Sequence, residues 1–177
     1  MPQSVTAAEI AAAIRNVPDF PKPGIQFKDI TPVLADARLF AGAIDLLTEK
    51  FTPGSIDAVV GIDARGFIFA AAAARKLNAG FVPVRKKGKL PFATIEQDYA
   101  LEYGHATLAM HTDALKPGAR VLLIDDLLAT GGTSAAAVAL VQKLGGNILE
   151  AGFLIELKFL NGREKLGDIP VRSLVSY

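Results

Sequence analysis

Short apolar runs alternate with stretches of helical spacing along most of the chain. Short apolar runs predict buried strands, at 56–62, 80–84, 121–124 and 151–159, with an edge strand at 171–176. Apolar residues spaced three or four positions apart predict helices, at 6–16, 36–51, 67–77 and 135–144. This alternation with short connections predicts an α/β fold, in which helices flank a mostly parallel central sheet.

Two segments depart from the alternation. Several prolines and Gly24 exclude a regular helix from residues 17–32, yet this segment is too apolar for a disordered linker. We therefore predict an ordered binding element or a packed cover there. Residues 91–99 are polar and irregular, and we predict a mobile segment, with one or two strands in 99–111.

The most informative run is VLLIDDLLATGGTS at 121–134. It predicts a buried strand that ends in Asp125 and Asp126, followed by a glycine-rich turn at the start of a helix. Glycines let backbone N–H groups approach a phosphate closely, and a helix N-terminus favours an anion. The two carboxylates can accept hydrogen bonds from a vicinal diol or help to hold a hydrated divalent cation.

The run at 121–134 has two other possible interpretations, an NTP-binding P-loop and a purely structural turn. An NTP-binding P-loop requires a lysine after its last glycine, and no lysine follows Gly132. The run could also be purely structural, with two acids in a turn and a helix capped by Thr130 or Thr133. The rarity of paired acids at the end of a buried strand argues against this second alternative.

Three predicted strands lead into loops that carry chemically active residues. Asp63 and Arg65 follow the first, a basic run at 85–89 follows the second, and the acids at 125–126 follow the third. Because parallel strands present their carboxyl ends at one edge of the sheet, these loops should meet there. The set suits a ligand with two separated phosphate groups and a sugar diol between them, although the basic run alone would be read as a solvated loop.

Length and composition narrow the class of protein. The chain has 177 residues, which suits one domain. A net charge of +1 gives no reason to expect a nucleic acid or a membrane as partner. No stretch approaches the roughly 20 apolar residues of a membrane span, and the N-terminus lacks a signal-peptide pattern. Cysteine is absent, so we expect no thiol chemistry and a cytoplasmic protein.

In these residues the chain resembles the type I phosphoribosyltransferases. The run at 121–134 is similar to their phosphoribosyl-pyrophosphate (PRPP) motif, and segments 14–32, 61–69, 83–91 and 101–104 support the match in order and spacing. The resemblance implies one phosphoribosyltransferase domain over 1–177, with a small base-binding hood at 1–34 and a PRPP-binding core at 35–177.

The DFPKPGIQFKDITP segment within 14–32 resembles members that use adenine as the acceptor. The implied reaction belongs to purine salvage, and it transfers the 5-phosphoribosyl group from PRPP to adenine, giving AMP and pyrophosphate. The resemblance further implies Mg²⁺ as cofactor, held mainly by PRPP and water without a direct protein ligand. It also implies a homodimer, with GIDARGF at 61–67 as the region of the interface.

The resemblance also assigns roles to individual residues. The 5′-phosphate would lie against Ala129, Thr130, Gly131, Gly132 and Thr133, and the ribose hydroxyls against Asp125 and Asp126. Arg65, Arg85, Lys86 and Lys89 would also bind PRPP, mostly near its pyrophosphate, beside the backbone of the Asp63–Ala64 turn. Adenine would contact Gln26, Phe27 and Lys28, and the catalytic residues would be Glu102, Tyr103 and Arg65.

Other interpretations remain open at this point. The acceptor could be a 6-oxopurine, because recognition of a base edge by the backbone leaves no trace in sequence. The chain could also be a non-catalytic regulatory protein that binds PRPP. Taken alone, Phe27 could be an ordinary core aromatic and Glu102 a surface acid.

Overall fold

The computed structural model describes residues 4–100 and 104–177. The chain divides into two compact units, one ending at Leu46 and the other comprising Leu47–Tyr177. The helices and strands that begin in the first unit are α1 (Ala7–Ala13), β1 (Arg15–Pro18), β2 (Gln26–Asp29), α2 (Thr31–Ala35) and α3 (Ala37–Thr48).

Helix α1 begins where the sequence predicts and ends earlier. Thr6 and Glu9 form a capping box, in which the backbone N–H of Thr6 donates to Glu9 Oε2 at 2.9 Å. The predicted helix over 6–16 is wrong beyond Ala13, because Arg15 starts a strand. The pairing of that strand with β2 outweighs the local helical spacing.

The proline-rich segment forms an antiparallel hairpin. Strand β1 pairs with β2 from Arg15 opposite Asp29 to Pro18 opposite Gln26. At its tip the backbone N–H of Gly24 donates to Asp19 Oδ1 at 2.8 Å. The segment predicted to be ordered therefore presents a short two-stranded ribbon.

The second unit is built on one sheet. Within the described residues its strands are β3 (Ala58–Ile62), β4 (Gly80–Lys86), β5 (Thr94–Ala100), β6 (His105–His111), β7 (Arg120–Leu128), β8 (Asn147–Glu156) and β9 (Val171–Ser176), and its helices are α4 (Gly66–Leu77) and α5 (Gly132–Lys143). The strand order is β5-β6-β4-β3-β7-β8-β9. Neighbours from β4 to β9 are parallel, while β6 and β5 run antiparallel. The predicted α/β class with a mostly parallel sheet is confirmed.

The core of this unit lies around the central strands β3 and β7. Every residue of β3 is buried, and Val121 to Ile124 of β7 are fully buried. A strand covered on both faces by helices has no solvated side, which is why these runs are continuously apolar in sequence. Within residues 4–100 and 104–177, none of the helices has the length and apolar character needed to span a membrane.

The prediction of irregular structure at 91–99 is wrong from Thr94 onward, where a strand forms. Strand β5 pairs with β6 from Thr94 opposite His111 to Ala100 opposite His105. Its side chains are only partly buried at the edge of the sheet, so polar residues are tolerated. Thr107, for example, donates to Asp98 Oδ1 across the two strands at 2.6 Å.

Strand β7 is longer than predicted. It continues through both acids to Leu128, in register with β8 as far as Glu156. Asp125 and Asp126 therefore lie within a strand, and the turn begins only after Leu128. The chain after β8 forms two short 3₁₀ helices, Lys158–Leu160 and Gly162–Leu166.

Candidate active site

A cavity of about 330 Å³ opens at the carboxyl edge of β3 and β7. Its walls come from the turn after β3, the acids of β7 and the turn that leads into α5. The lining residues are Ile62, Asp63, Ala64, Arg65, Asp125, Asp126, Leu127, Ala129, Thr130, Gly131, Gly132, Thr133 and Ser134. The structure thus brings together the glycine-rich turn, both acids and Arg65, as the convergence of strand ends predicts.

The glycine-rich turn leaves the start of α5 available to a ligand. Gly131 is the N-cap residue, with a φ of 78°, and no side chain in the described part of the chain caps this helix. The alternative in which Thr130 or Thr133 caps α5 is therefore wrong. The first N–H groups of a helix need partners, and an anion at this point would satisfy them while meeting the positive end of the helix dipole.

The two acids of β7 are almost fully buried. Asp125 is 9 % exposed and Asp126 is 6 % exposed. Asp125 Oδ1 accepts the backbone N–H of Asp126 at 2.8 Å, and Asp126 Oδ2 lies 2.9 Å from Arg65 Nε. These contacts fix both carboxylates at the floor of the cavity.

Burial dominates the titration of this pair. Loss of solvent raises the pKa of Asp125 well above its ordinary value, and the neighbouring Asp126 charge raises it further. Burial also raises the pKa of Asp126, although the Arg65 guanidinium opposes that shift. A polyhydroxyl ligand that donates to these oxygens would replace the hydrogen bonds that water no longer supplies.

Helix α4 approaches the acids so closely that any side chain on its first residue, Gly66, would crowd them. A Cβ on Gly66 would lie 2.5 Å from Asp125 Oδ1 and 3.1 Å from Asp125 Cα. This role of Gly66 was not predicted from the sequence. The glycine that closes the GIDARG run was the available signal.

The basic loop after β4 joins the site through Asp63. Arg85 Nε lies 3.0 Å from Asp63 Oδ2, and Arg85 Nη1 donates to the backbone oxygen of Lys89 at 3.0 Å. The peptide bond between Asp63 and Ala64 is cis. The resemblance assigned a role only to the backbone of this turn, and the Asp63 carboxylate as the partner of Arg85 was missed. Lys86 and Lys89 are exposed and do not line the cavity.

The residues predicted to bind the base lie on β2 in the first unit. Gln26 is exposed, whereas Phe27 and Lys28 are half-buried. The Phe27 ring meets the edge of Phe20 with centroids 5.0 Å apart, and Lys28 Nζ donates to Asn16 Oδ1 at 2.6 Å. Glu102 and Tyr103 lie outside the described residues.

Ser134, the last residue of the motif run, is 2 % exposed and lines the cavity. One further residue was missed: Gly162 lies against the glycine-rich turn at Ala129 and Gly131, and no motif in the sequence marked it. In the described part of the chain, no group of three or more histidine, aspartate or glutamate side chains is arranged to hold a metal ion.

The fold and the cavity define a class: an α/β protein whose uncapped helix N-terminus and buried acids suit a phosphorylated sugar. A sequence model of the family "Phosphoribosyl transferase domain" matches residues 27–168. The chain therefore belongs to the phosphoribosyltransferase family, and within it to the adenine phosphoribosyltransferases, as its relatives indicate.

The relatives match this chain over nearly its whole length. The adenine phosphoribosyltransferase of Chloroflexus aurantiacus is 56 % identical over 173 residues, covering 98 % of this chain and 100 % of the relative. The crystal structure of the enzyme from Rhodothermus marinus has a TM-score of 0.92 at 52 % identity, covering 97 % and 98 %. The Saccharomyces cerevisiae enzyme, complexed with adenine and an imino-altritol bisphosphate, has a TM-score of 0.90 at 42 % identity, covering 95 % and 97 %.

Proposed function

We propose that this chain transfers the 5-phosphoribosyl group of PRPP to adenine, giving AMP and pyrophosphate, as a step of purine salvage. The observation that carries the proposal is the cavity that combines an uncapped helix N-terminus with two buried acids. The adenine phosphoribosyltransferase relatives support adenine over a 6-oxopurine, and a purely regulatory role is not favoured.

The 5′-phosphate binds at the turn formed by Ala129, Thr130, Gly131, Gly132 and Thr133. The positive φ of Gly131 turns the chain directly into α5, so that successive backbone N–H groups face the cavity. The Thr130 and Thr133 hydroxyls line the same wall and can add donors.

The ribose hydroxyls donate to Asp125 and Asp126. Arg65 holds Asp126 from the side, and Gly66 fixes the distance between α4 and Asp125. The diol of the sugar therefore meets acceptors that are already in place, and little reorganisation is needed on binding.

The pyrophosphate binds beside the turn after β3. Arg65 and the backbone of Asp63–Ala64 line that part of the cavity, and Arg85 is held beside it by its ion pair with Asp63. Lys86 and Lys89 extend the positive charge on the loop beyond Arg85. This charge stabilises the leaving pyrophosphate as its bond to C1 of the ribose breaks.

Breaking that bond leaves positive charge on the ribose ring, as in glycoside chemistry. The incoming purine nitrogen forms the new bond to C1 and must lose its proton. Glu102 is the proposed acid or base for that proton, with Tyr103 beside it. Replacing Glu102 with glutamine should lower kcat and change the KM for PRPP much less. A kcat equal to that of the unaltered protein would exclude the role.

Adenine binds at the β1–β2 hairpin. Phe27 stacks on the purine, and its edge contact with Phe20 orients the ring. Gln26 and Lys28 are two positions apart on β2, so their backbone groups face the same edge of the strand. Such paired backbone groups can read the donor and acceptor pattern of the base.

Mg²⁺ is carried mainly by PRPP and water. Of the three acids that line the cavity, Asp126 is paired with Arg65 and Asp63 with Arg85, and the described residues hold no cluster of three suitable ligands. Mg²⁺ keeps several waters and favours phosphate oxygens, so this donor set fits an ion that arrives with the substrate. Bound there, it would neutralise charge on the leaving pyrophosphate.

The proposed assembly is a cytoplasmic homodimer. Ile68 and Phe81 are 41 % and 38 % exposed, and Phe67 packs edge-on against Phe81 with centroids 5.4 Å apart. An apolar group of this kind near the GIDARGF region suits a second copy of the chain. PRPP is highly charged and does not cross a bilayer unaided, so the enzyme must share a compartment with the source of PRPP.

One assay tests the proposal. Purified protein, PRPP and Mg²⁺ are incubated with adenine, hypoxanthine or guanine in turn, and nucleotide formation is followed by chromatography. AMP from adenine alone is the expected result. Product from a 6-oxopurine and not from adenine would overturn the choice of acceptor. PRPP binding without product from any base would favour a regulatory protein.

A further inference from the structure

Two glycine backbones meet behind the proposed phosphate turn. A Cβ on Gly131 would lie 2.3 Å from the backbone oxygen of Gly162, and a Cβ on Gly162 would lie 2.2 Å from the backbone oxygen of Ala129. Both distances are too short for any side chain to fit between the segments. The position of Gly162 therefore limits where the backbone of the phosphate turn can lie.

Gly162 begins the second 3₁₀ helix, and the next residue anchors that helix to the sheet. Arg163 Nε and Nη2 lie 2.6 and 2.7 Å from the two carboxylate oxygens of Glu156. Arg163 also donates to Ser173 Oγ at 2.8 Å and to the backbone oxygen of Val171 at 3.1 Å. Glu156 ends β8 and is only 3 % exposed.

The two bonds from the Arg163 guanidinium to the Glu156 carboxylate form a two-point anchor. A guanidinium that meets a carboxylate through two parallel bonds is fixed in orientation as well as in distance. Its partners belong to β8 and β9, whereas Gly162 touches the turn that follows β7. The end of the sheet is thus connected through one arginine to the back of the phosphate turn.

We propose that Arg163 is a positioning residue for the 5′-phosphate of PRPP, acting through the contact of Gly162 with Gly131 and Ala129. The inference rests on the proposed binding of the 5′-phosphate at residues 129–133. Loss of the two-point anchor lets Gly162 withdraw, and the N–H groups of the turn then no longer converge on the phosphate.

The chain offers a matched control. Arg172, on β9, pairs with the buried Glu150 of β8, Nε to Oε1 at 2.9 Å, and its Nη1 also meets Glu49 Oε1. Glu150 is 2 % exposed, but it lies in the first half of β8, at the opposite end from Glu156. Arg163→Lys and Arg172→Lys therefore each remove a guanidinium that pairs with a buried glutamate of β8, while both keep the positive charge.

The experiment compares the two variants with the unaltered protein in steady-state kinetics, at a temperature where circular dichroism shows all three folded. We expect Arg163→Lys to raise the KM for PRPP on the order of tenfold and to leave the KM for adenine within about twofold, because only the donor phosphate is misplaced. Arg172→Lys should leave both KM values near those of the unaltered protein.

Two inhibitors, a fragment of the donor and a product, sharpen the test. Ribose 5-phosphate should inhibit Arg163→Lys more weakly than the unaltered protein, whereas pyrophosphate should inhibit both equally. If Arg163→Lys folds poorly, Ser173→Ala replaces it in the test. This variant removes one hydrogen bond of Arg163 and should raise the KM for PRPP by a smaller factor. Equal KM shifts in Arg163→Lys and Arg172→Lys, or weaker pyrophosphate inhibition, would overturn the inference.

Failure of the proposed function is distinguishable from these outcomes. It would appear in the unaltered protein, as no AMP from PRPP and adenine or as no inhibition by ribose 5-phosphate. The unaltered protein can pass both checks while Arg163→Lys behaves like Arg172→Lys. That combination refutes only the positioning role of Arg163.

Discussion

Replacing Gly66 with alanine should damage the proposed ribose site more than it damages the fold. The added Cβ would lie 2.5 Å from Asp125 Oδ1, which must retreat by about 0.9 Å to reach the 3.4 Å of ordinary contact. Rotation of the carboxylate cannot relieve the crowding alone, since Asp125 Cα and the Ile124 backbone oxygen would lie at 3.1 and 3.2 Å. The strand or the helix must therefore shift as well.

Two opposing terms set the effect of this variant on stability. Overpacking of a close contact costs roughly 1–3 kcal/mol. Alanine offsets part of this cost, because it favours a helix over glycine by about 1 kcal/mol, and by less in the first turn. We therefore expect Gly66→Ala to lower the free energy of unfolding by about 0–2 kcal/mol, a small change next to its effect on activity.

The effect on activity should be larger because the shift is transmitted to Asp125. A displacement near 1 Å in a catalytic site can cost on the order of 100-fold in rate, and we expect kcat/KM for PRPP to fall by about 10- to 100-fold. The assay is AMP formation with saturating adenine, alongside thermal unfolding by circular dichroism.

Gly80→Ala is the matched control for Gly66→Ala. Its Cβ would lie 3.6 Å from the Asp57 backbone oxygen, which is ordinary contact, and its turnover should stay near that of the unaltered protein. A Gly66→Ala variant that keeps kcat/KM for PRPP within about twofold would refute the reasoning that the position of Asp125 matters.

Other substitutions separate the proposed roles. Asp125→Asn with Asp126→Asn should strongly lower kcat/KM for PRPP, because amides lose the charge-assisted bonds to the ribose diol; near-normal rates would contradict the ribose role. Burial raises the pKa of Asp125 and so disfavours its charged form in the folded state. Asp125→Asn alone should therefore increase the free energy of unfolding measured in urea, and the increase should grow as pH rises above about 4. Phe27→Ala should raise the KM for adenine by roughly 5- to 150-fold, equivalent to the ~1–3 kcal/mol of base stacking; an unchanged KM would make Phe27 structural. Arg120 lowers the pKa of Asp57 from 3.8 to about 2. The ionised Asp57 therefore stabilises the folded protein above about pH 4, and this stabilisation is lost as pH falls to about 2. In urea unfolding, Asp57→Asn should not show this pH-dependent loss of stability.

The parallel core of the fold was predictable because its signal is local. Strands β3 and β7 are covered on both faces, so each reads as a continuous apolar run, and the motif after β7 identifies the strand edge where a ligand binds. The convergence of Arg65 with Asp126 then follows from the parallel order of the strands.

The antiparallel elements were not predictable in the same way. Strand β5 is polar because it is an edge strand, and β1 interrupts a helical spacing because it pairs with β2. Both strands depend on a partner elsewhere in the chain, and pairing of this kind is decided by tertiary contacts. Local composition therefore indicated an irregular segment in one case and a longer helix in the other.

Contacts between backbones were the least visible part of the site. Gly66 and Gly162 act through the absence of a side chain, and an isolated glycine in sequence is equally typical of an ordinary turn. Asp63 was likewise assigned only a backbone role, because its ion pair with Arg85 joins the turn after β3 to strand β4, and the sequence does not show that contact.

The buried acids and the close glycine contacts have a common physical reason. Two carboxylates at the floor of a cavity oppose folding, because burial disfavours their charged forms. Helix α4 lies against Asp125 at Gly66, and the second 3₁₀ helix lies against the glycine-rich turn at Gly162. At both places a side chain would separate segments that are in contact, so the geometry of the cavity comes from the sheet and its helices. In the proposed site these contacts would hold the acids and the turn in place before PRPP binds, and the binding energy of the phosphates would then remain available to stabilise charge as the pyrophosphate leaves.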